Sequence, residues 1–269
     1  MSLLTKEINI FFSSSETAGA SEVSSDGSRF SVFLDNPIKI PNSAIDCSLS
    51  VVQSSIWNTS PNISQEYKNN TFTFTTSNTG NAGTHTIEIS DGLYSLSDLN
   101  GFISVALLNL SLPSNLITIS GLPSTGQSYI TFQLSGDSVN FTTNTSVRTI
   151  LGFDYGIYTA TVSIKSIYSQ GVAKFNRNNS YLITSDLISG GIPINSISPN
   201  VIASVPINVQ PGSQINYQPF NITEVDANSL IGLSKSNISF VLLNQDLQSV
   251  STQNEIYTIL IRIKYVIKV

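Results

Sequence analysis

Apolar and polar residues alternate with a period of two along most of this chain, and no other feature constrains its fold as strongly. The clearest case is residues 255–269, where every second side chain from Tyr257 onward is aliphatic or aromatic. Successive side chains of a β-strand point to opposite faces, so this alternation predicts a strand with one buried face. The chain of 269 residues is therefore predicted to be mainly β and long enough to bury a sizeable core.

The alternating segments form two groups, one on each side of a central segment with a different pattern. Outside the centre, strands are predicted at residues 6–12, 30–34, 38–40, 44–56, 159–164, 180–184, 201–209, 238–243 and 255–269. Asp35-Asn36-Pro37 is predicted to be a turn, and the odd-numbered residues from Ile45 to Val51 are predicted to face the core. Roughly eight strands of this kind, arranged as two four-stranded sheets, form a jelly roll.

The central segment carries a helical periodicity that the rest of the chain lacks. Ser95 is a predicted N-cap with Asp98 three residues later, and apolar residues recur at helical spacing up to Asn109, before Pro113. Short strands are predicted around this helix at residues 71–76, 84–90, 116–120, 129–134 and 139–142. The predicted organisation is a single jelly-roll β-sandwich, made from residues 1–66 and 157–269, with a small α+β domain inserted at residues 67–156.

Side chains that perform chemistry are scarce, since the chain has one histidine, one cysteine and 11% charged residues. Acid-base catalysis, nucleophile activation and metal binding each need several such groups to converge. His85 and Glu88 lie three residues apart on a predicted strand, so they point to opposite faces and do not form an acid-base pair. We therefore expect no enzymatic activity and assign no catalytic, cofactor-binding or metal-binding residue.

The remaining candidate residues favour structural roles. Asp35, Asp91 and Asp154 lie in turn-like segments without the spacing of a calcium-binding loop. Cys47 lies in an alternating run, which predicts a buried thiol, and a lone cysteine forms no intrachain disulfide. Glycine motifs for phosphates or dinucleotides and the nucleophile elbow are absent from the sequence. Aromatic residues able to stack on sugars, but expected first in a sandwich core or an interface, are Trp57, Tyr94, Tyr129, Tyr155, Tyr158 and Tyr168.

Charge and hydropathy limit the partners of the chain. Its 12 basic and 17 acidic residues give a net charge of -5, and such a surface repels the phosphate backbone of nucleic acids. No run of about 18 apolar residues occurs, so no transmembrane segment is predicted. The first residues lack the pattern of a secretion signal, and the cysteine content gives no sign of an oxidising compartment. We therefore expect no direct nucleic-acid binding and assembly in a cytoplasm.

Several stretches of the sequence resemble the penton, or vertex, capsid proteins of virophages and Polinton-like viruses. The opening strands of that family are similar to RFSVFLDNPIKIPNSAIDCSLSVVQSSIWNTSPNIS, and a recurring inserted unit is similar to ISDGLYSLSDLNGFISVALLN followed by RTILGF. The closing strands are similar to VPINVQPGSQINYQPFNITEVDANSL and NISFVLLNQDLQSVSTQNEIYTILIRIKY. The resemblance implies a single jelly roll with strands perpendicular to the capsid surface, an outward insertion and five copies around each vertex. It implies no catalytic residue.

We expect a structural capsid protein of the virion, assembled in the host cytoplasm as a homopentamer that contacts the surrounding major capsid proteins. Closure of such a ring needs heterologous contacts, in which one patch of each copy meets a different patch of the next. Another minor capsid protein, or a receptor- or carbohydrate-binding spike head that contacts a host receptor through the inserted domain, is an alternative, because jelly rolls serve these roles too. A hydrolase that uses an unrecognised Asp/Glu pair is the third alternative, because distance in sequence does not exclude pairing in space.

Overall fold

The computed structural model describes residues 2–195, 197 and 199–268. The chain divides into two compact units. Unit 1 combines the residues up to Ser60 with those from Asn178 onward, and unit 2 is Pro61–Arg177. The predicted insertion at residues 67–156 falls wholly within unit 2, whose bounds are wider on both sides.

Antiparallel strands are the main secondary structure of the described residues. In chain order these are β1 (Leu3–Ser13), β2 (Ala20–Ser21), β3 (Arg29–Lys39), β4 (Ala44–Trp57), β5 (Thr71–Thr76), β6 (Gly83–Glu88), β7 (Ile117–Leu122), β8 (Gln127–Phe132), β9 (Ser138–Asn140), β10 (Ile157–Thr159), β11 (Lys165–Val172), β12 (Ser180–Ser185), β13 (Val201–Pro206), β14 (Gln214–Tyr217), β15 (Val225–Asp226), β16 (Ser234–Leu243) and β17 (Thr258–Lys268). The α-helices are α1 (Leu96–Asn109) and α2 (Arg148–Leu151), and short 3-10 helices lie at Glu16–Ala18 and Asn228–Leu230.

Unit 1 is a sandwich of two sheets. One sheet has the strand order β1-β17-β4-β14, with the two-residue β15 also paired to β4, and the other has the order β13-β12-β16-β3-β2. Without the two-residue strands each sheet has four members. Every connection between consecutive members crosses from one sheet to the other, except the connection from β12 to β13. This is the strand order of a jelly roll, and the predicted mainly β, jelly-roll fold class is confirmed.

Aromatic rings join the two sheets of unit 1 at the centre of its core. Phe240 of β16 lies 4.8 Å from Phe12 of β1 and 5.3 Å from Phe30 of β3, measured between ring centroids. The ring of Tyr257, just before β17, meets Phe30 edge-on at 5.2 Å, and its hydroxyl donates to the carbonyl of Ser28. Edge-on and offset contacts of this kind add stabilisation beyond the buried area, so these rings fix how the sheets pack.

Strand β4 turns a different set of side chains inward from the one predicted. Its pairing with β17 skips one residue between Ala44 and Asp46 and another between Val51 and Gln53, which marks two β-bulges. Each bulge shifts the inward parity by one residue. The odd residues from Cys47 to Val51 are buried as predicted, but Ile45 lies in the first bulge and is exposed.

Two other strand predictions are wrong. The strand predicted at residues 159–164 is not formed: β10 ends at Thr159, and residues 160–164 are the irregular connection to β11 in unit 2. The missing member of the jelly roll is instead the short strand β14, which pairs with the end of β4. The Asp35-Asn36-Pro37 segment does not reverse the chain, since β3 continues through it with a break in its register with β16. Proline suits such an unpaired stretch because it has no N–H to contribute to a ladder.

The remaining predicted strands and the helix are confirmed with small shifts at their ends. The inward set of the last strand runs from Tyr257 to Tyr265 as predicted, and Val269, its predicted final member, lies outside the described residues. At the start of α1 the Ser95 side chain accepts from the Asp98 N–H, while the Asp98 carboxylate accepts from the Ser95 N–H. The helix ends before Pro113, where Ser111 adopts a left-handed conformation.

Unit 2 has a core of its own, between two small sheets and α1. One sheet has the order β10-β9-β5-β6 and the other β11-β8-β7. Helix α1 buries Leu99, Ile103 and Leu107 and packs against β7. The buried side chains of this unit form an apolar cluster separate from that of the jelly roll.

Candidate assembly surface

Strand β1 forms an open edge of the jelly roll. It pairs with β17 over its whole length, from Leu3 opposite Lys268 to Ser13 opposite Thr258, and no described strand pairs with its other side. Half of its backbone N–H and C=O groups therefore point away from the sheet. A long strand edge of this kind is a template for pairing with another chain, and proteins that remain monomeric usually cover or shorten it.

Exposed apolar side chains accompany this edge. In the second half of β1 the even-numbered residues Ile8, Ile10 and Phe12 pack on the core, whereas the odd-numbered ones face outward. Phe11, on the outward face, is 63% exposed, and Leu3 at the other end of the strand is exposed to a similar degree. Between them Glu7 faces Arg262 of β17 at 3.8 Å. The outer side of β1 thus has a charged middle and an apolar residue towards each end.

The opposite edge of the same sheet carries a second apolar feature. Strand β14 lies at that edge, and Phe220 follows it in the loop before β15 with 99% of its surface exposed. The far end of the loop is fixed, because Glu224 accepts from Lys264 Nζ at 3.1 Å and from Ser48 Oγ at 3.0 Å. These hydrogen bonds, first that of Lys264 and then that of Ser48, lower the pKa of Glu224 below its ordinary value. An aromatic ring that is fully in solvent on an anchored loop is typical of an interface anchor.

Further exposed apolar side chains of unit 1 are scattered over several elements. Single exposed apolar residues are common on soluble proteins. They therefore support an assembly surface only together with the open edge of β1 and Phe220. They are Leu4, Phe33, Ile45, Ile197, Leu233 and Ile256.

The candidate acid-base residues of the sequence are not brought together. The ring of His85 packs on Phe74 with a centroid distance of 5.3 Å, and its Nε2 lies 3.0 Å from the carbonyl oxygen of Asn81. Glu88 is exposed near the end of the same strand, on the opposite face. The structure therefore gives His85 a packing role within its sheet.

The three aspartates considered for calcium occupy separate places in the sequence and fold. Asp35 is exposed in the irregular part of β3, the Asp91 carboxylate accepts from the Gln65 N–H, and Asp154 is exposed before β10. Across residues 2–195, 197 and 199–268, no group of three or more His, Cys, Asp or Glu side chains is placed to hold a metal ion.

Cys47 is buried in the jelly-roll core, as the alternation predicted. Burial, with smaller contributions from the Asp46 and Asp226 carboxylates, raises the pKa of its thiol to about 11. The reactive form of cysteine is the thiolate, so this thiol is a poor nucleophile near neutral pH.

The aromatic residues divide into packed and exposed ones. Tyr158 packs edge-on against Phe153, and Tyr94 does so against Phe102, which gives both tyrosines structural roles in unit 2. The remaining sugar-stacking candidates are only partly covered: Trp57 is half-buried on β4, Tyr129 and the exposed Tyr168 lie 5.2 Å apart, and Tyr155 is exposed.

One buried carboxylate was not singled out from the sequence. Asp137, just before β9, is fully buried and accepts from the Thr76 hydroxyl at 3.0 Å and from the Ser77 N–H at 3.0 Å. Its only sequence signal is a turn-like glycine-aspartate pair, which many exposed turns share. Full hydrogen bonding makes it a structural tie between β5 and β9.

Comparisons with known proteins address the fold. No protein-family model and no curated protein matches this chain. A crystal structure of the mavirus penton protein is similar to it, with a TM-score of 0.50 and 12% sequence identity over 97% of this chain and 99% of that chain. None of the helices in the described part of the chain is long and apolar enough to cross a membrane. At this identity the similarity shows the fold alone: the chain has a fold similar to that of the mavirus penton protein.

Proposed function

We propose that this chain is a structural capsid protein that forms the fivefold vertices of a viral shell as a homopentamer. The observation that carries the proposal is the open edge of β1, with Phe11 and Leu3 exposed beside it. The penton-like fold and the scarcity of convergent reactive side chains support the same role, which is not enzymatic.

The two apolar features of the first sheet suit the geometry of a ring. The β1 edge and the Phe220 loop lie at opposite edges of one four-stranded sheet, so they are separated by three strand spacings of about 4.8 Å, or roughly 14 Å. A closed ring requires one patch of each copy to meet a different patch of the next. In the proposed pentamer the β1 edge of one copy receives the Phe220 loop of its neighbour.

The other partners follow from the same role. The pentamer contacts the major capsid proteins that surround a vertex, and it resides in the virion after assembly in the host cytoplasm. Direct contact with nucleic acid is not part of the proposal, because the net charge of -5 opposes it.

Native mass spectrometry and negative-stain electron microscopy of the purified full chain test the proposal. We expect a species of five copies and rings with fivefold symmetry. Monomers alone, or trimers, at concentrations of about 10 μM and above would contradict it.

Two surface variants test the contact itself. Phe220→Ser and Phe11→Ser each remove an exposed aromatic anchor, so we expect each to weaken the pentamer by at least about tenfold without loss of folding. Ile164→Ser is the matched control, because Ile164 is also exposed but belongs to unit 2. Equal loss of pentamer in the control would place the ring contacts outside the jelly-roll sheet.

A carbohydrate- or receptor-binding head is the second candidate function. The observation that favours it is the pair of Tyr129 and Tyr168, whose partly exposed rings offer a stacking surface on β8 and β11. A glycan array read with the wild-type chain and with Tyr168→Ala tests it. Reproducible hits that Tyr168→Ala abolishes would support this function. An array without hits would contradict it.

A further inference from the structure

Unit 2 contains a cavity of about 370 Å³ that none of the roles above uses. Three segments line it, at residues 67–69, 144–150 and 174–177. Backbone hydrogen bonds tie them together: Thr71 N–H donates to the Thr145 carbonyl, Val147 N–H donates to the Thr71 carbonyl, and Lys174 N–H donates to the Ile150 carbonyl at 2.7 Å. The cavity is thus built into the fold of the unit.

Basic side chains dominate the lining. Unit 2 has five lysines and arginines, and all of them except Lys165 line this cavity: Lys68, Arg148, Lys174 and Arg177. No aspartate or glutamate is among the lining residues. Four like charges around one small space repel each other, and this convergence occurs in a chain with an excess of acidic residues. Such an arrangement is favourable when an anion occupies the space.

The basic side chains that line the cavity differ in their present contacts. Lys68, Arg148 and Lys174 form no ion pair with any described residue. The guanidinium of Arg177 stacks on the Tyr67 ring, with 3.6 Å between its Cζ and the ring centroid, and this contact positions it at the wall of the cavity.

Ser146 supplies an independent indication of a ligand. It lines the cavity, is only 3% exposed, and its Oγ has no hydrogen-bond partner among the described residues. Buried hydroxyl groups are nearly always hydrogen-bonded, because an unmade bond costs stability. A bound group with acceptor oxygens would complete the bond.

We propose that this cavity binds a compact polyvalent oxyanion, a ligand that carries two or more phosphate or sulfate groups. Oxygens of such groups only accept hydrogen bonds, which matches the ammonium, guanidinium and hydroxyl donors of the lining. Three of the lining cations, Lys68, Arg148 and Lys174, form no ion pair with a described residue and so call for more than one negative charge on the ligand. The volume of the cavity suits a small ligand. A nucleic-acid strand fits less well, since unit 2 as a whole has six acidic residues against its five basic ones. The proposal is independent of the capsid role.

Isothermal titration calorimetry of the full chain at low salt tests the proposal, with inorganic pyrophosphate and a disulfated glucosamine as probes. We expect one site per chain for at least one probe, with an affinity that falls as salt is added. Tighter binding of pyrophosphate assigns a phosphate ligand, and tighter binding of the sulfated sugar assigns a sulfated one. Absence of binding for both at millimolar concentration, or binding of poly-glutamate alone, would overturn the proposal.

Variants locate the site. The double variant Arg148→Ala/Lys174→Ala removes two of the lining cations and is expected to weaken binding at least about tenfold. Lys165→Ala is the matched control, because it removes the one cation of unit 2 outside the cavity, and it is expected to change affinity by less than about twofold. An equal loss in both variants would mean diffuse attraction and would overturn the assignment to this cavity.

Ser146→Ala separates binding from folding. Removal of a buried hydroxyl without a partner leaves the melting temperature unchanged or raised, whereas loss of its bond to the ligand weakens binding by about fivefold. Unchanged affinity together with a lowered melting temperature would show that Ser146 is structural and would overturn its role in the site.

Discussion

The two units of this chain use their charged residues in opposite ways. In unit 1 the ion pairs of the described residues couple cations to carboxylates on the outside of the sandwich: Lys235 with Asp186, Arg262 with Glu7, and Lys264 with Glu224. In unit 2 four of the five cations line one cavity, while the carboxylate of Asp137 is buried and accepts hydrogen bonds from neutral donors.

This difference separates two kinds of surface. Neutralised charges beside exposed rings, as in unit 1, suit contacts between protein copies, which favour apolar anchors with a polar rim. Lys68, Arg148 and Lys174 of unit 2 form no ion pair with a described residue, and cations of this kind suit a small anionic ligand. The proposed assembly surface and the proposed ligand cavity thus lie on units that have separate cores.

The largest effect is expected from the aromatic core of unit 1. Phe240→Ala removes the ring that contacts Phe12 and Phe30, so we expect a loss of about 3 to 5 kcal/mol in the free energy of unfolding. Urea denaturation followed by circular dichroism measures it. Phe33→Ala, an exposed ring on the neighbouring strand β3, is the control and should change stability by less than about 0.5 kcal/mol. Similar losses in both variants would mean that the outer face of this sheet is packed as well, which would contradict its description as an exposed surface.

The buried carboxylate of unit 2 gives the next largest effect. Asp137→Ala leaves the Thr76 hydroxyl and the Ser77 N–H without their acceptor, and we expect a loss of about 3 kcal/mol. The same denaturation experiment applies, with the exposed Asp154→Ala as the matched control at less than about 0.5 kcal/mol. An unchanged free energy of unfolding in Asp137→Ala would show that the buried Asp137 carboxylate does not stabilise unit 2.

The buried thiol of Cys47 makes the stability of unit 1 depend on pH. The pKa of the Cys47 thiol is about 11 in the folded chain, against an ordinary value of 9.0. Its contribution to the free energy of unfolding is therefore fully present below pH 9. This contribution is lost as pH rises from 9 through 11, because the unfolded chain releases the proton first. We therefore expect the stability difference between about pH 8 and about pH 10 to be smaller in Cys47→Ala than in wild type. Burial also raises the pKa of Tyr257. This tyrosine is present in both chains, so its effect on stability cancels in the comparison. Identical pH dependence in both would show that the thiol is not sealed in the core.

The smallest effect is expected at the N-terminus of α1 in unit 2. Ser95→Ala removes the side chain that accepts from the Asp98 N–H, and loss of such a cap costs about 1 kcal/mol. Hydrogen bonds from Ser95 lower the pKa of Asp98 below 3.8, so the contribution of that carboxylate is present above pH 3.8 and is lost on acidification below it. The difference between Ser95→Ala and wild type in thermal denaturation should therefore shrink in acid. Asn109→Ala, at the exposed last residue of the same helix and outside the cap, is the control, and its difference from wild type should not change in acid.

Local patterns in the sequence were sufficient for most of the fold. The alternation around β17 and the cap of α1 are properties of neighbouring residues, and the structure confirms both. Ile45 was placed wrongly because a bulge depends on the partner strand, which local alternation does not reveal. Strand β14 was missed because it has four residues, too few for a period of two to stand out.

The surfaces with proposed functions were less accessible to prediction from the sequence. Lys68, Arg148 and Lys174 are far apart in the sequence, and only the fold of unit 2 brings them to one cavity. Phe220 has no sequence signal that separates an exposed ring from a buried one. The open edge of β1 depends on the order of strands in a sheet, which the strand pattern alone leaves undetermined.

The pairing of β1 with β17 also sets an order of events during translation. These strands are paired along their full lengths, and roughly 250 residues separate them, so β1 has no partner until nearly all of that sequence has left the ribosome. At about 5 to 20 residues per second this takes roughly 12 to 50 s. Until then the edge that we propose for assembly does not exist as a strand of a sheet. Chains that stop early therefore lack the paired β1 edge, so in the proposed assembly only complete subunits could enter a ring.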